Sequence, residues 1–313
     1  MKMNIITRAL LIFFICMFNV SSAFAEENAI KQQISNEEQI IGIFGDIHGN
    51  IDGARVALEQ MAQRKITHLI GTGDFIEYGG AEELEAVLSI ISEITGVQRD
   101  NIYLMPGNWE HTQIFPEDGY NNLEVQAAVE ANDDARAHEI FKKKSIGRAN
   151  KILKKYGHLI ADDCYSYGVI EIAGKRIMVS HYPQHSIPKK LLPPEEYLMR
   201  NGGRAMILDT MDKNIYSPEN VDFEIIAHTH VAGSYMDPKA KKCVINPGVI
   251  DPRRKRSSEL QAFAVYYVNE GRLDHVCMGE NEIKICQTLS FDDGCNMMKG
   301  SKWDQALRFL RLI

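Results

Sequence analysis

Two things are missing from this 313-residue chain: a CxxC zinc pattern and an apolar run long enough to span a bilayer comfortably. No internal repeat and no low-complexity tract interrupts it, so repeat architectures are set aside. Basic residues are in deficit, 35 Lys and Arg against 42 Asp and Glu, for a net charge of −7. A chain of that sign is a poor candidate for general nucleic-acid binding, which depends on neutralising phosphates. What remains is ordinary for a folded soluble protein, with 45% hydrophobic and 25% charged residues. The length fits one large domain, or a core domain carrying an insertion.

The first 25 residues read as a secretory signal. Lys2 and Arg8 precede an apolar run from Ala9 to Phe18, and Ala23-Phe24-Ala25 has the small-x-small form of a cleavage site. The expected cleavage follows Ala25 and places the mature chain, 26–313, in a periplasm or outside the cell, without stable membrane insertion. Removing residues 1–25 takes two basic residues and no acid, which moves the net charge from −7 to −9. Five cysteines remain: Cys164, Cys243, Cys277, Cys286 and Cys295. In an oxidising compartment they allow two disulfides and one free thiol. Buried reduced cysteines are the other reading.

After Glu38 the pattern alternates between strands and helices. Ile40 to Phe44 is a buried-strand run, and Asn50 to Gln63 places Ala54, Leu58 and Met61 at helical spacing. A second strand spans Thr67 to Ile70. A second helix, Ala81 to Ile94, carries Leu84, Val87, Leu88 and Ile91 on one face, and a third strand runs from Asn101 to Met105. This βαβαβ order predicts an α/β sheet covered by helices. Residues 112–156 break the pattern: Leu123 to Lys144 and Ala149 to Lys155 read as polar, lysine-rich helices, a helical insertion that could also bind a protein partner. Strands are expected again at about 159, 167–172, 176–180, 223–226, 232–235, 242–245 and 263–268. A loop and helix should run on to Asp212, and an amphipathic helix should close the chain.

Five short motifs fall where strands should end. They are Gly45-Asp46-Ile47-His48-Gly49-Asn50, Gly73-Asp74, Gly107-Asn108-Trp109-Glu110, Ser180-His181 and Ala227-His228-Thr229-His230. In open α/β sheets ligands gather beyond the carboxyl ends of strands, so these residues can converge. Together they offer two Asp, one Asn and four His, a nitrogen and oxygen donor set for two borderline or hard divalent metals. His68, His138, His158 and His275 lie outside the motifs.

In order and spacing the five motifs resemble those of the calcineurin-like metallophosphoesterase superfamily, over about residues 39 to 268 with the insertion excepted. The resemblance implies an α/β fold, a two-sheet sandwich flanked by helices. It implies that Asp46, His48 and His230 hold one metal, that Asn108, His181 and His228 hold the other, and that Asp74 bridges them. The ions would be manganese, iron or zinc. Two such cations about 3.5–4 Å apart acidify a bridging water and stabilise the charge of in-line attack on a phosphate ester. Asn50, Asn108 and the following helix start are then placed to contact the phosphate.

The chain departs from the family pattern at three places. Ala227 stands where the last motif usually has glycine. Trp109 stands where many family phosphatases have a histidine that helps the leaving group depart, and His111 is the candidate to replace it. Tyr78 stands where the protein-phosphatase branch has an arginine. Gly73-Asp74-Phe75-Ile76-Glu77-Tyr78-Gly79 and Asn246-Pro247-Gly248-Val249-Ile250-Asp251-Pro252-Arg253 instead look like segments of small bacterial and archaeal phosphoesterases. Arg253 opens a basic run through Arg256 that could attract an anionic substrate. The expected activity is hydrolysis of a phosphate ester, with the diester slightly favoured. The competing reading is a non-catalytic binding module or an effector built on the same fold.

Overall fold

The computed structural model describes residues 38–114, 122–131, 133–164, 166–182, 220–228, 230, 232–236, 243–253, 261–279, 282–291 and 296–297. The leader, the loop and helix through Asp212, Cys295, residues 254–256 and the C-terminal amphipathic helix lie outside them.

The chain begins its described course with β1 (Ile40–Phe44), α1 (Ile51–Gln63), β2 (His68–Gly71), α2 (Gly80–Thr95) and β3 (Ile102–Leu104). Strand β1 shows why a sheet covered on both sides reads as a continuous apolar run. Successive side chains point to opposite faces. Ile40 and Phe44 join the core under the helices, whereas Ile41 and Ile43 join the core between the two sheets. Helix α1 buries Ala54, Ala57, Leu58 and Met61, and α2 buries Leu84, Val87, Leu88, Ile90 and Ile91. Each large side chain of this kind contributes about 1.5–3 kcal/mol when fully buried. Gly96 ends α2 in the left-handed conformation, at φ 71°.

Helix α3 (Asn108–Gln113) follows β3 directly, so the expected insertion boundary at residue 112 falls inside a helix. The insertion itself is helical, as expected, but in more pieces: α4 (Leu123–Glu130), α5 (Asp134–Phe141), a π turn (Lys142–Ile146) and α6 (Gly147–Tyr156). The single helix expected over 123–144 breaks after Ala131. Asp133 starts the next helix by accepting the Arg136 N–H on its side chain and the Ala137 N–H on its carbonyl. Helix α6 docks on α2, where Lys155 and Tyr156 both reach the Glu85 carboxylate.

The remaining strands are β4 (His158–Leu159), β5 (Tyr167–Ile172), β6 (Lys175–Ser180), β7 (Phe223–Ile225), β8 (Gly233–Met236), β9 (Cys243–Asn246), β10 (Gln261–Tyr267), β11 (Arg272–Met278), β12 (Ile283–Ser290) and β13 (Asn296–Met297). They form an eight-stranded sheet, β13-β12-β11-β10-β1-β2-β3-β4, and a five-stranded sheet, β5-β6-β7-β9-β8. Both are mixed: β1 to β4 run parallel, and β6, β7 and β9 run parallel beside antiparallel edges. The sheets pack face to face through Ile41, Ile43, Ile70 and Tyr266 on one side and Ile177, Val179, Phe223 and Ile245 on the other. This is the expected two-sheet α/β sandwich flanked by helices. Strands β11 to β13 were not anticipated. A disulfide joins Cys277 to Cys286 across β11 and β12, Cys243 is also disulfide-bonded, and Cys164 is buried and outside any disulfide. Among the described residues no helix is long and apolar enough to cross a membrane.

Candidate metal centre

Parallel strands from both sheets end at one place. Asp46 and His48 follow β1, Asp74 follows β2, Asn108 follows β3, His181 follows β6, and His228 and His230 follow β7. The first two loops run side by side as a short backbone ladder, with Asp46 N–H on the Gly73 carbonyl at 2.9 Å and His48 N–H on the Asp74 carbonyl at 2.9 Å. The second and third loops touch even more closely. A Cβ on Gly73 would lie 2.4 Å from the Gly107 nitrogen, and one on Gly107 would lie 2.2 Å from the Asp74 nitrogen. Only glycine permits that approach.

Five of the candidate ligands sit in left-handed backbone: Asp46 (φ 48°), His48 (47°), Asp74 (54°), His228 (65°) and His230 (63°). Each such residue costs on the order of 1–3 kcal/mol and persists only where its surroundings over-determine it. For Asp46, His48 and Asp74 the loop ladder and one buried carboxylate do so. Glu110 accepts four backbone N–H groups: Gly107 at 2.6 Å, Asp74 and Phe75 at 2.8 Å each, and Ile76 at 3.2 Å. Burial first, and the charge of Asp74 second, raise its pKa to about 7 against the pull of those donors.

The side chains form two groups that share Asp74. One is Asp46, His48, Asp74 and His230; the other is Asp74, His181 and His228. In the first, Nε2 of His48 and Nε2 of His230 are 3.1 Å apart, and His230 lies 3.6 Å from Asp46 Oδ1. That oxygen is fully buried and has no hydrogen-bond partner among the described residues. In the second, Nδ1 of His181 lies 2.8 Å from the Thr72 carbonyl, an acceptor only, so Nδ1 carries the proton. Its Nε2 faces two further acceptors, Asn108 Oδ1 at 3.2 Å and Asp74 Oδ2 at 3.4 Å. Three such atoms meeting in a buried space need a positive charge between them, a proton on Nε2 or a metal cation.

The protonation pattern has the same cause. Burial raises Asp46 well above the usual carboxylate range, and Asp74 adds to it. Burial works against Asp74 as well, yet the charge and hydrogen bond of His181, with His48 and His228, hold it low. Burial would depress His181, but Asp74 and Asp46 push it up to about 9. A proton on that ring thus stands where a metal's charge would stand. Once His181 offers Nε2 to a cation, that proton must leave. The donor set of imidazole, carboxylate and carboxamide fits divalent manganese, iron or zinc.

The structure therefore brings together all seven residues singled out as metal ligands, Asn108 through its contact with His181. The other candidates have partners or surroundings of their own. Asn50 caps α1 by accepting the Gly53 N–H at 3.1 Å and donates to the Ile250 carbonyl at 3.2 Å, so its amide is engaged at both ends. Arg253 donates to both Asp251 oxygens, to Glu77 at 2.9 Å and to the His48 carbonyl at 3.0 Å. Two carboxylates match its charge, and it anchors backbone. His111 is buried within the helical layer against Asn150, and burial pushes its pKa down to about 4. At neutral pH it has no extra proton to give a leaving group. The role of Glu110 was not foreseen. Its partners are all backbone N–H groups, which a sequence does not display.

A family model of the calcineurin-like phosphoesterase superfamily domain matches residues 40–271. The chain belongs to that superfamily. This calcineurin-like phosphoesterase matches no curated protein. Among solved structures, it resembles a novel archaeal phosphodiesterase at 16% identity, covering 77% of this chain and 100% of that one with a TM-score of 0.40. It resembles YfcE, a phosphoesterase from E. coli, at 13% identity, covering 78% of this chain and 96% of that one with a TM-score of 0.40. A zinc-complexed Vps29 from Entamoeba histolytica is similar at 15% identity, covering 79% of this chain and 96% of that one with a TM-score of 0.39.

Proposed function

We propose that this calcineurin-like phosphoesterase is exported and hydrolyses a phosphate ester with two divalent cations held in the two ligand groups. The observation that carries the reading is the sharing of Asp74 between those groups, with the unpartnered Asp46 Oδ1 on one side of it and the His181–Asn108 pair on the other. Asp46, His48 and His230 would hold one ion, Asn108, His181 and His228 the other, and Asp74 both. When bound, such ions supply a water acidified into the neutral range and positive charge opposite the phosphoryl oxygens.

The chain's own residues do the rest. The Thr72 carbonyl fixes the His181 tautomer, and the Tyr182 hydroxyl donates to Asn108 Oδ1 at 3.3 Å, orienting the carboxamide oxygen inward. The His228 N–H holds Asp46 Oδ2 at 3.1 Å, which leaves Oδ1 turned to the centre. With His111 buried and Trp109 in the usual histidine position, no side chain at the third motif protonates a poor leaving group. That favours an ester with a good leaving group, and the likeness of the second motif and of residues 246–253 to small phosphoesterases tilts the reading slightly to the diester. The signal-like leader and the Cys277–Cys286 disulfide support export to an oxidising compartment, where disulfides persist.

The test is hydrolysis of bis(p-nitrophenyl) phosphate and p-nitrophenyl phosphate by the protein in manganese, beside Asp74→Asn. Turnover that vanishes in the variant, with the diester preferred, is the expected result. Absence of turnover with manganese demonstrably bound would overturn hydrolysis and leave a binding module.

A further inference from the structure

Beside the metal ligands stands a pair of aromatic rings that the hydrolytic centre does not itself require. Trp109 packs edge-on against the His48 ring, with centroids 5.8 Å apart at 88°. Tyr78 packs edge-on against Trp109, with centroids 5.0 Å apart at 89°. The pair makes a corner of two perpendicular rings that leads outward from a ligand to the surface. Tyr78 is 74% exposed, so its ring is not part of the core.

The backbone beneath this corner is fixed. The Trp109 N–H donates to Asp74 Oδ1 at 2.9 Å. On either side of Tyr78, the Glu77 and Gly79 N–H groups donate to one oxygen of Glu83, at 2.7 and 3.0 Å. The ordering cost of presenting the Tyr78 ring is therefore met before a ligand arrives. Charge distinguishes between occupants. Arg253, the basic side chain that reaches Glu77 beside Tyr78 among the described residues, is already matched by Glu77 and Asp251, so this part of the rim does not favour a second phosphate. It does suit a flat, uncharged ring, which gains from an aromatic face whatever its hydrogen-bonding pattern.

We propose that Tyr78 and Trp109 form a stacking platform that selects phosphate esters bearing a planar ring near the phosphorus, the nucleotide class. The proposal rests on the phosphoesterase reading above and names the substrate class of that site. A nucleotide joins through its sugar the two groups this corner would take, a phosphate at the ligands and a base at the exposed Tyr78 face.

The test compares two ligands that differ only in the ring, adenosine monophosphate and ribose 5-phosphate, by calorimetry on the manganese-loaded protein. Adenosine monophosphate should bind roughly five-fold or more tightly, the range expected for one stacked base. Tyr78→Leu should bring the ratio to about one, and Tyr78→Phe should keep it. Equal binding in the wild type, a ratio that survives Tyr78→Leu, or no binding of either ligand overturns the platform. Calorimetry needs no turnover, so these outcomes are separate from the Asp74→Asn test. Hydrolysis lost in Asp74→Asn together with equal binding would keep the phosphoesterase and discard the platform.

Discussion

Glu110 Oε2 accepts the Asp74 N–H at 2.8 Å and the Gly107 N–H at 2.6 Å, so one oxygen ties the second motif loop to the third. The other oxygen takes Phe75 and Ile76. A glutamine there has the same shape but must turn an NH2 group towards backbone donors. Glu110→Gln should weaken manganese binding about ten- to a hundred-fold, the usual cost of losing a group that orients ligands. Titration calorimetry with manganese checks it. An affinity equal to the wild type would mean that the loops hold their left-handed turns without this carboxylate.

Chelation should destabilise the fold as well as silence it. Without cations, Asp46 and Asp74 are buried together among four imidazoles, and ion binding to the native state alone raises stability by mass action. A chelator should lower the melting temperature by several degrees, on the scale of about 2 kcal/mol or more. Added manganese should restore it. In Asp74→Asn the chelator should change little. An identical melting curve with and without chelator in the wild type would argue that the cluster does not hold metal.

His275 should make the protein acid-sensitive. It is fully buried, contacts the Ser234 hydroxyl at 2.9 Å across the two sheets, and burial holds its pKa down to about 4 from an ordinary 6.5. The unfolded chain binds a proton there near pH 6.5, and the native chain resists until about pH 4. The stabilisation is therefore complete above pH 6.5 and is lost progressively as pH falls towards 4, by at most on the order of 3 kcal/mol. Denaturant midpoints at pH 7 and pH 4.5 measure the loss, which should shrink in His275→Gln. An unchanged loss in that variant would assign the acid sensitivity to other groups.

What could be read in advance depended on where the information lay. Strand β1 was legible because burial on both faces makes an unbroken apolar run, and α2 because Leu84, Val87, Leu88 and Ile91 recur at helical spacing. Strand β12 was not, since Ile283 and Ile285 face outward at 36% and 50% exposure, where a half-buried strand would carry polar groups. Helix α3 hid behind the glycine of its own motif. The metal-ligand candidates were legible because their chemistry is in their side chains. The tasks of Asn50, Glu110 and Arg253 were not, because each answers to backbone or to acids distant in sequence.

The ligands span Asp46 to His230 and come from strands of both sheets. No partial chain that lacks the second sheet can assemble both ligand groups. On the two-cation reading, ion loading would be a closing step of folding, taken only when β6 and β7 have packed against β1, β2 and β3. If the chain is exported unfolded, as proposed, the identity of its ions would then be decided by the compartment in which it folds, not by the one in which it is made.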